Sequence, residues 1–257
     1  MRKKATIMTT KRRNVFSQLY ASILINAIYA MKNYPITLLN TLLAPLSILI
    51  VITLISKGTL LGVSIEGALM ASMVASGMSI QGDLSHLKND FKLQDMVVSS
   101  PTSSAVYMLG MAISEVIYSL PAFIVLTILA ALFIHTTVTG YFILLTVIVL
   151  MFIFSISLGF IISTFSTDVM QNWAFSGILS TLLTTIPPIY YTITYIPLPF
   201  RYIAYISPTT YAAEIVQNAI GALPLSLTSL ALDWAVVLGI SLCLLFLAVK
   251  KSRWREV

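Results

Sequence analysis

Of 257 residues, 58% are hydrophobic and only 9% charged, mean hydropathy is +0.95, and the formal net charge is +6. Several continuous apolar runs exceed the ~18 to 20 residues needed to cross a ~30 Å hydrocarbon core, which marks a polytopic helical membrane protein and excludes a barrel of short alternating segments. The one cysteine, Cys243, lies in an apolar run and cannot form an intramolecular disulfide.

The chain opens with MRKKATIMTTKRR, six basic residues and no acidic one, and no apolar signal-peptide core follows, so cleavage is not expected. From Asn14 to Met31, the residues Val15, Phe16, Leu19, Tyr20, Ile23, Leu24, Ala27, Ile28 and Met31 form one broad helical face, interrupted by Ser17, Gln18, Ser22 and Asn26. Arg12, Arg13 and Lys32 flank it and suit anionic headgroups, so this is an amphipathic helix lying in the interface. The other reading, an extension of the first span, is opposed by the breaker Lys32-Asn33-Tyr34-Pro35.

The first span runs from Ile36 to Ile55 without a charge. The second, about Leu60 to Ile80, has Glu66 near its start and is small-sided at Gly67, Ala68, Ala71, Ser72, Ala75, Ser76 and Gly77, which suits close packing inside a bundle. Gly77 to Gly82 matches the first half of a phosphate loop, but Asp83 stands where lysine is required, so no nucleotide site is expected there.

A polar island follows, Gln81 to Ser104, holding three of the nine acidic residues and two of the fifteen basic ones. Leu84, Leu87, Phe91 and Met96 recur at helical spacing while Asp83, Lys88, Asp90, Lys92 and Asp95 fill the other faces, which predicts a short amphipathic helix in water ending at Ser100-Pro101. As the largest polar excursion between spans, it is the natural docking place for a soluble partner.

The third span, Val106 to Ile134, contains Pro121 and Glu115. A glutamate about 13 Å along a lipid-embedded helix faces protein, water or a basic partner; it serves either as a substrate or coupling contact or as a packing pair near the cytoplasmic interface. His135 sits in a short loop as a solvated residue. The fourth span, Tyr141 to Phe165, turns through Ser166-Thr167-Asp168 into the fifth, Trp173 to Tyr191. Between Pro187 and Tyr211 fall five of the ten prolines and six of the twelve tyrosines, an interfacial composition that no single helix can carry. Ser207-Pro208 reads as N-cap and first helical residue, Tyr211, Ala212, Ile215, Val216, Ala219 and Ile220 as one face, and Gly221 as the stop. This helix is too short to span and is expected to be re-entrant or interfacial. The sixth span, about Leu230 to Val249, ends in KKSRWRE.

Thirteen Lys and Arg residues flank one side of the spans, against only Lys57 and Arg201 on the other, which places both termini and the island in the cytoplasm and fits six spans. The positive charge is thus a topology signal and implies no nucleic acid. No metal-ligand cluster, Ser/His/Asp grouping or complete phosphate loop is present. A secondary transporter or channel would need an internal repeat and intramembrane ionisable groups, of which Glu115 is the one read here, and an integral membrane enzyme would need paired catalytic residues.

Six spans in about 260 residues, the basic interfacial helix, the island ending VVSSPTSSAVYMLG and the late SPTTYAAEIVQNAI resemble the permease subunit of type-2 ABC exporters, a class that includes drug and polysaccharide exporters. The resemblance implies an all-α membrane domain over residues 1–257: an interfacial segment 1–35, spans one and two in 36–80, a cytoplasmic coupling segment 81–104, spans three to five in 105–191, an outer loop 192–229 with its short helix, and the last span with its basic tail in 230–257. It implies coupling to an ATPase through Leu84, Leu87, Lys88, Asp90, Phe91, Asp95 and Pro101, with Leu109-Gly110 matching the Leu-Gly that follows, and an outer-loop Pro-x-x-Tyr element at Pro208 and Tyr211, with Glu214 one turn on. Where the family often carries Glu-Arg-Gly or Glu-Lys-Gly, this chain has Asn89-Asp90-Phe91-Lys92-Leu93. The implied partners are a cytoplasmic ATP-binding subunit that holds ATP and magnesium, a second permease in a homodimer or heterodimer, and membrane lipids. This chain itself is expected to bind no cofactor and to hydrolyse nothing, and to reside in the cell membrane as a multi-pass protein.

Overall fold

The structure, a computed structural model, describes residues 15–33, 35–89, 104–165 and 169–251, and among these it is helical with no strand. Helix α1 (Val15–Ile23) passes through a π-helical stretch, Leu24–Tyr29, into α2 (Ala30–Asn33), and α3 (Pro35–Ile55) begins on the proline, where a missing N–H costs nothing. Of residues 15–33 only Ala27 is buried; Phe16, Tyr20, Ile25, Ile28 and Tyr29 are exposed. The polar interruptions have a use. Ser22 and Asn26 bond to each other, and Ser22 lies against α5 (Ser104–Phe133), where an added Cβ at Gly110 would meet Ser22 Oγ at 2.7 Å.

Helix α4 runs unbroken from Leu61 to Asn89. The sequence separates a span from an island helix starting at Leu84, and the structure corrects this, because nothing between Ile80 and Asn89 breaks a helix. Gly82 is a lone glycine, and its bare backbone lets the Trp173 ring approach, at about 2.9 Å from where a Cβ would stand. The expected remainder, Asp90 to Ser100 with Pro101, lies outside the described residues. Along its apolar window Leu61–Gly82, α4 is 83% buried, against 22% for α5 and for α10 (Leu227–Lys251), so α4 is the axis and the other two turn apolar faces outward. Its small residues explain this role: α6 (Val138–Phe165) reaches it with Ser155 touching Gly77, and at Gly67 an added Cβ would overlap the Ile189 carbonyl. Leu69, Met70, Met73 and Val74 then lock with Val147, Ile148 and Met151 of α6 in the main core.

Helix α7 (Val169–Thr184) is shorter than the expected Trp173–Tyr191 span and begins earlier. Residues 185–191 leave the helix because prolines at 187 and 188 exclude their predecessors from helical backbone and remove two donors. After a 3-10 turn, Ile193–Tyr195, and the single turn α8 (Arg201–Ala204), α9 (Pro208–Ala219) starts on Pro208 and stops as expected, with Gly221 at φ +79° and the Ala222 N–H returning to the Gln217 carbonyl. Ser207 occupies the N-cap, but its hydroxyl pairs with Thr209 Oγ1 instead of capping a backbone N–H.

Four helices among the described residues are long and apolar enough to cross a membrane: Leu61–Gly82, Leu109–Phe133, Val138–Thr164 and Leu227–Lys250. The apolar stretch of α3, Thr41–Ile55, is shorter, and α7 has 16 residues, about 24 Å of rise. Chain direction gives the bundle two ends. The near end joins α4 to α5 through residues 90–103, and the far end gathers residues 56–60, 134–137 and the whole stretch from 185 to 226.

Candidate functional site

Apart from the 3-10 turn and α8, residues 185–207 are non-helical backbone at the far end, and their carbonyls, with the last carbonyls of α7, need donors that a continuing helix would supply. Helix α9 supplies them. Thr209 Oγ1 donates to Leu183 O at 2.7 Å, Thr210 Oγ1 to Ala204 O, and Gln217 Nε2 to both Pro188 O at 3.0 Å and Tyr191 O at 3.2 Å. Ser64 of α4 donates to Tyr190 O at 3.1 Å, Thr136 to Ala219 O at 2.9 Å, and the Arg201 guanidinium to Ile196 O and Thr194 O. Eight of the twelve residues of α9 are therefore buried, polar ones included, since it packs against α4, α6, α7 and α10. The sequence assigns it one apolar face; its polar face is buried as well, because that face bonds the loop.

Within this knot lies a group of four titratable side chains. Tyr205 OH donates to Glu214 Oε1 at 2.8 Å, and the rings of Tyr205 and Tyr211 meet at 5.5 Å between centroids with 52° between planes. Asp233, from the second turn of α10, is 2% exposed, Glu214 is 3%, and Asp233 Oδ2 is buried without a hydrogen-bond partner. Burial pushes the Glu214 carboxyl above the ordinary carboxylate range, and the Tyr205 hydroxyl pulls it partway back. Both tyrosines are raised, first by burial; for Tyr205 the bond to Glu214 comes next, and for Tyr211 the charges of Asp233 and Glu214. One turn along α4 from Gly62, which faces Ile220 and Ile134, Glu66 is 1% exposed with both carboxyl oxygens lacking partners, as do the buried Tyr190 hydroxyl and Gln217 Oε1.

Toward the near end, Glu115 is 6% exposed and accepts a 2.8 Å bond from Ser79 Oγ, joining α5 to α4. Gln81 Nε2 donates to Asn172 O at 2.6 Å and Ser176 Oγ to Met78 O at 3.0 Å, so the first turns of α7 hang from α4 at the start of the segment expected to meet a partner.

The family pattern described as ABC-2 type transporter matches residues 17–220, well over half of the chain. The chain belongs to the ABC-2 type transporter family. No individually characterised protein matches it in sequence. As an ABC-2 membrane domain it is a multi-pass membrane permease, a transport subunit of the kind whose ATP hydrolysis resides in a partner.

Of the residues singled out from sequence, Pro208, Tyr211 and Glu214 come together around α9, and Glu115 stands apart near the other end. Leu84, Leu87 and Lys88 lie on the last turns of α4, whereas Asp90, Phe91, Asp95 and Pro101 lie outside the described residues. Glu115 is not the one acid within the helices: Glu66 and Asp233 are buried in candidate spans of this permease and Glu214 beside them. Asp233 was missed because it sits six residues into a helix judged by its apolar run, and Gln217 because a polar residue on a short outer helix looks solvated. The available signal was the proline-rich stretch before them, whose stranded carbonyls demand buried donors.

Proposed function

We propose that this chain is the membrane-spanning permease subunit of an ATP-driven ABC exporter. It works as a dimer, homomeric or heteromeric, with the substrate path between protomers and a separate cytoplasmic ATPase, which carries ATP and magnesium, docked on residues 81–104. The observation that carries the reading is the family match over 17–220. The basic residues support the orientation, with both termini and the near end in the cytoplasm of a cell-membrane protein. On this reading α3, α4, α5, α6, α7 and α10 cross the bilayer, α1 rests at the inner interface, and α9 re-enters from outside. Shortness of α7 is consistent with that, since α9 and the 185–191 turn complete its layer.

Continuity of α4 gives the coupling a mechanical form. A push on the docking segment acts on the helix that touches α3, α5, α6, α7 and α9, so movement at the ATPase reaches the outer knot through one rigid element. Co-expression with the partner ATPase tests the whole: the two chains should co-purify, and vesicles should show transport that requires ATP. The buried acids Glu66, Glu214 and Asp233 favour a second reading, an ion-driven transporter, under which transport would follow an imposed ion gradient with no ATPase present.

A further inference from the structure

We propose that the far end of the bundle holds a binding site for a protonated amine with a short apolar body, with Glu66 as its counter-ion. A cavity of about 510 Å³ opens there between the C-terminal ends of α5 and α9 and the start of α6. Ala131, Ile134 and Ile220 give it apolar walls, and His135, Thr137 and Tyr141 line it with polar groups. The same Ile134 and Ile220 face Gly62 of α4, where an added Cβ would stand 4.0 Å and 3.9 Å from them, so the bare glycine leaves a gap beneath the cavity wall. Glu66 is one turn further along α4 on the same face, and helical side chains lean toward the N-terminus of their helix, which for α4 is the far end. Its carboxyl is thereby directed at the Gly62 gap. Both of its oxygens are buried and without a hydrogen-bond partner.

The surroundings favour a cation as the occupant. A carboxyl buried without a donor stays neutral; an ammonium within hydrogen-bond reach stabilises its ionised form, and the carboxyl proton leaves to the buffer. The ends of α5 and α9 add partial negative charge, while the opposing amides at the start of α6 are taken up, Gly140 N–H by the Thr137 hydroxyl and Tyr141 N–H by the Thr137 carbonyl. No other charged group fills the role. Lys57 is exposed on the turn before α4, Arg201 bonds the Ile196 and Thr194 carbonyls, and neither donates to Glu66. Glu214 accepts from Tyr205, and Asp233 belongs to α10, which contributes nothing to the cavity wall. His135, exposed at the mouth, is the one lining group that opposes a cation when protonated. Apolar walls, and the lack of any group of three metal-ligating side chains among the described residues, favour an organic cation over a metal ion.

The experiment uses the full chain in lipid nanodiscs in mildly alkaline buffer, so its result is independent of orientation, ATPase and transport. Phenethylamine is titrated by calorimetry into loaded and empty nanodiscs, with phenethyl alcohol as its uncharged counterpart, and infrared difference spectra follow the protonated-carboxyl band. The amine should bind saturably, release a proton and diminish that band; the alcohol should do none of these. Glu66→Gln should weaken binding by about tenfold or more and abolish the band change. Gly62→Leu keeps the carboxyl but fills the gap, so it should weaken binding to a similar extent, and it serves alone where Glu66→Gln does not fold. His135→Ala should bind at least as tightly as wild type. Uptake no greater than by empty nanodiscs, equal binding of the alcohol, undiminished binding in Glu66→Gln or Gly62→Leu, or loss of binding in His135→Ala overturns the site.

Discussion

Glu115 accepts from the Ser79 hydroxyl at the α4–α5 seam, and a hydrogen bond of this kind contributes about 0.5 to 1.5 kcal/mol net. Glu115→Gln keeps an acceptor for Ser79 and should insert and fold normally, yet alter transport rate or dimer yield; unchanged values for both would leave the glutamate a packing residue. Gly67 makes the opposite kind of demand. Because an added Cβ overlaps the Ile189 carbonyl, Gly67→Ala must push α4 away from the 185–191 turn, at a cost of about 1 to 3 kcal/mol, visible as a lowered thermal midpoint. The sequence showed that Gly67 belongs to a small-sided helix. Its neighbour was not legible, since Ile189 reaches it only after Ser64 and Gln217 have bonded carbonyls on either side of it, contacts that join residues more than a hundred positions apart in one case.

Helix boundaries were most legible where a breaker is local. Proline at 35, proline at 208 and glycine at 221 mark real ends, because each acts through its own backbone. They were least legible where tertiary contacts decide: the polarity change at Gln81 looked like a boundary, yet α4 continues, with Gln81 anchored to Asn172 and Gly82 stacked on Trp173. That continuity predicts how coupling fails. A docking helix gains little from Leu87 and Phe91 unless a partner covers them, and fully burying each is worth roughly 1.5 to 3 kcal/mol. Phe91→Asp should thus leave an inserted permease that no longer co-purifies with its ATPase or stimulates hydrolysis; retained binding and transport would remove 84–100 as the coupling element. His86→Pro breaks α4 inside the proposed docking segment, just beyond the packed Gln81 and Gly82, at about 3 kcal/mol or more of local helix stability. Here the ATPase should still bind while transport per ATP hydrolysed falls, and undiminished transport would mean that α4 does not carry the stroke.

The proposed placement of the bundle across the membrane rests on charge. Along the sequence, Lys and Arg in the segments assigned to the cytoplasmic side outnumber those assigned to the other thirteen to two, and retention of such clusters on the cytoplasmic side orients helical proteins. At the far end Tyr195, Leu198, Phe200, Tyr202 and Ile206 are exposed, an aromatic and aliphatic rim of the sort that sits at a headgroup layer, and its one arginine, Arg201, is tied to backbone carbonyls instead of offering a topogenic charge. On the six-span reading proposed above, α3 and α4 join at residues 56–60 and α5 returns to the same end, so Lys57 shares the compartment of residue 198 and the N-terminus lies opposite. After replacement of the exposed Cys243 by alanine, single cysteines at positions 3 and 198 should therefore differ in intact cells treated with an impermeant thiol reagent. Position 198 should label without permeabilisation and position 3 only after it; the reverse pattern would invert the protein and leave residues 81–104 where no cytoplasmic ATPase could reach them.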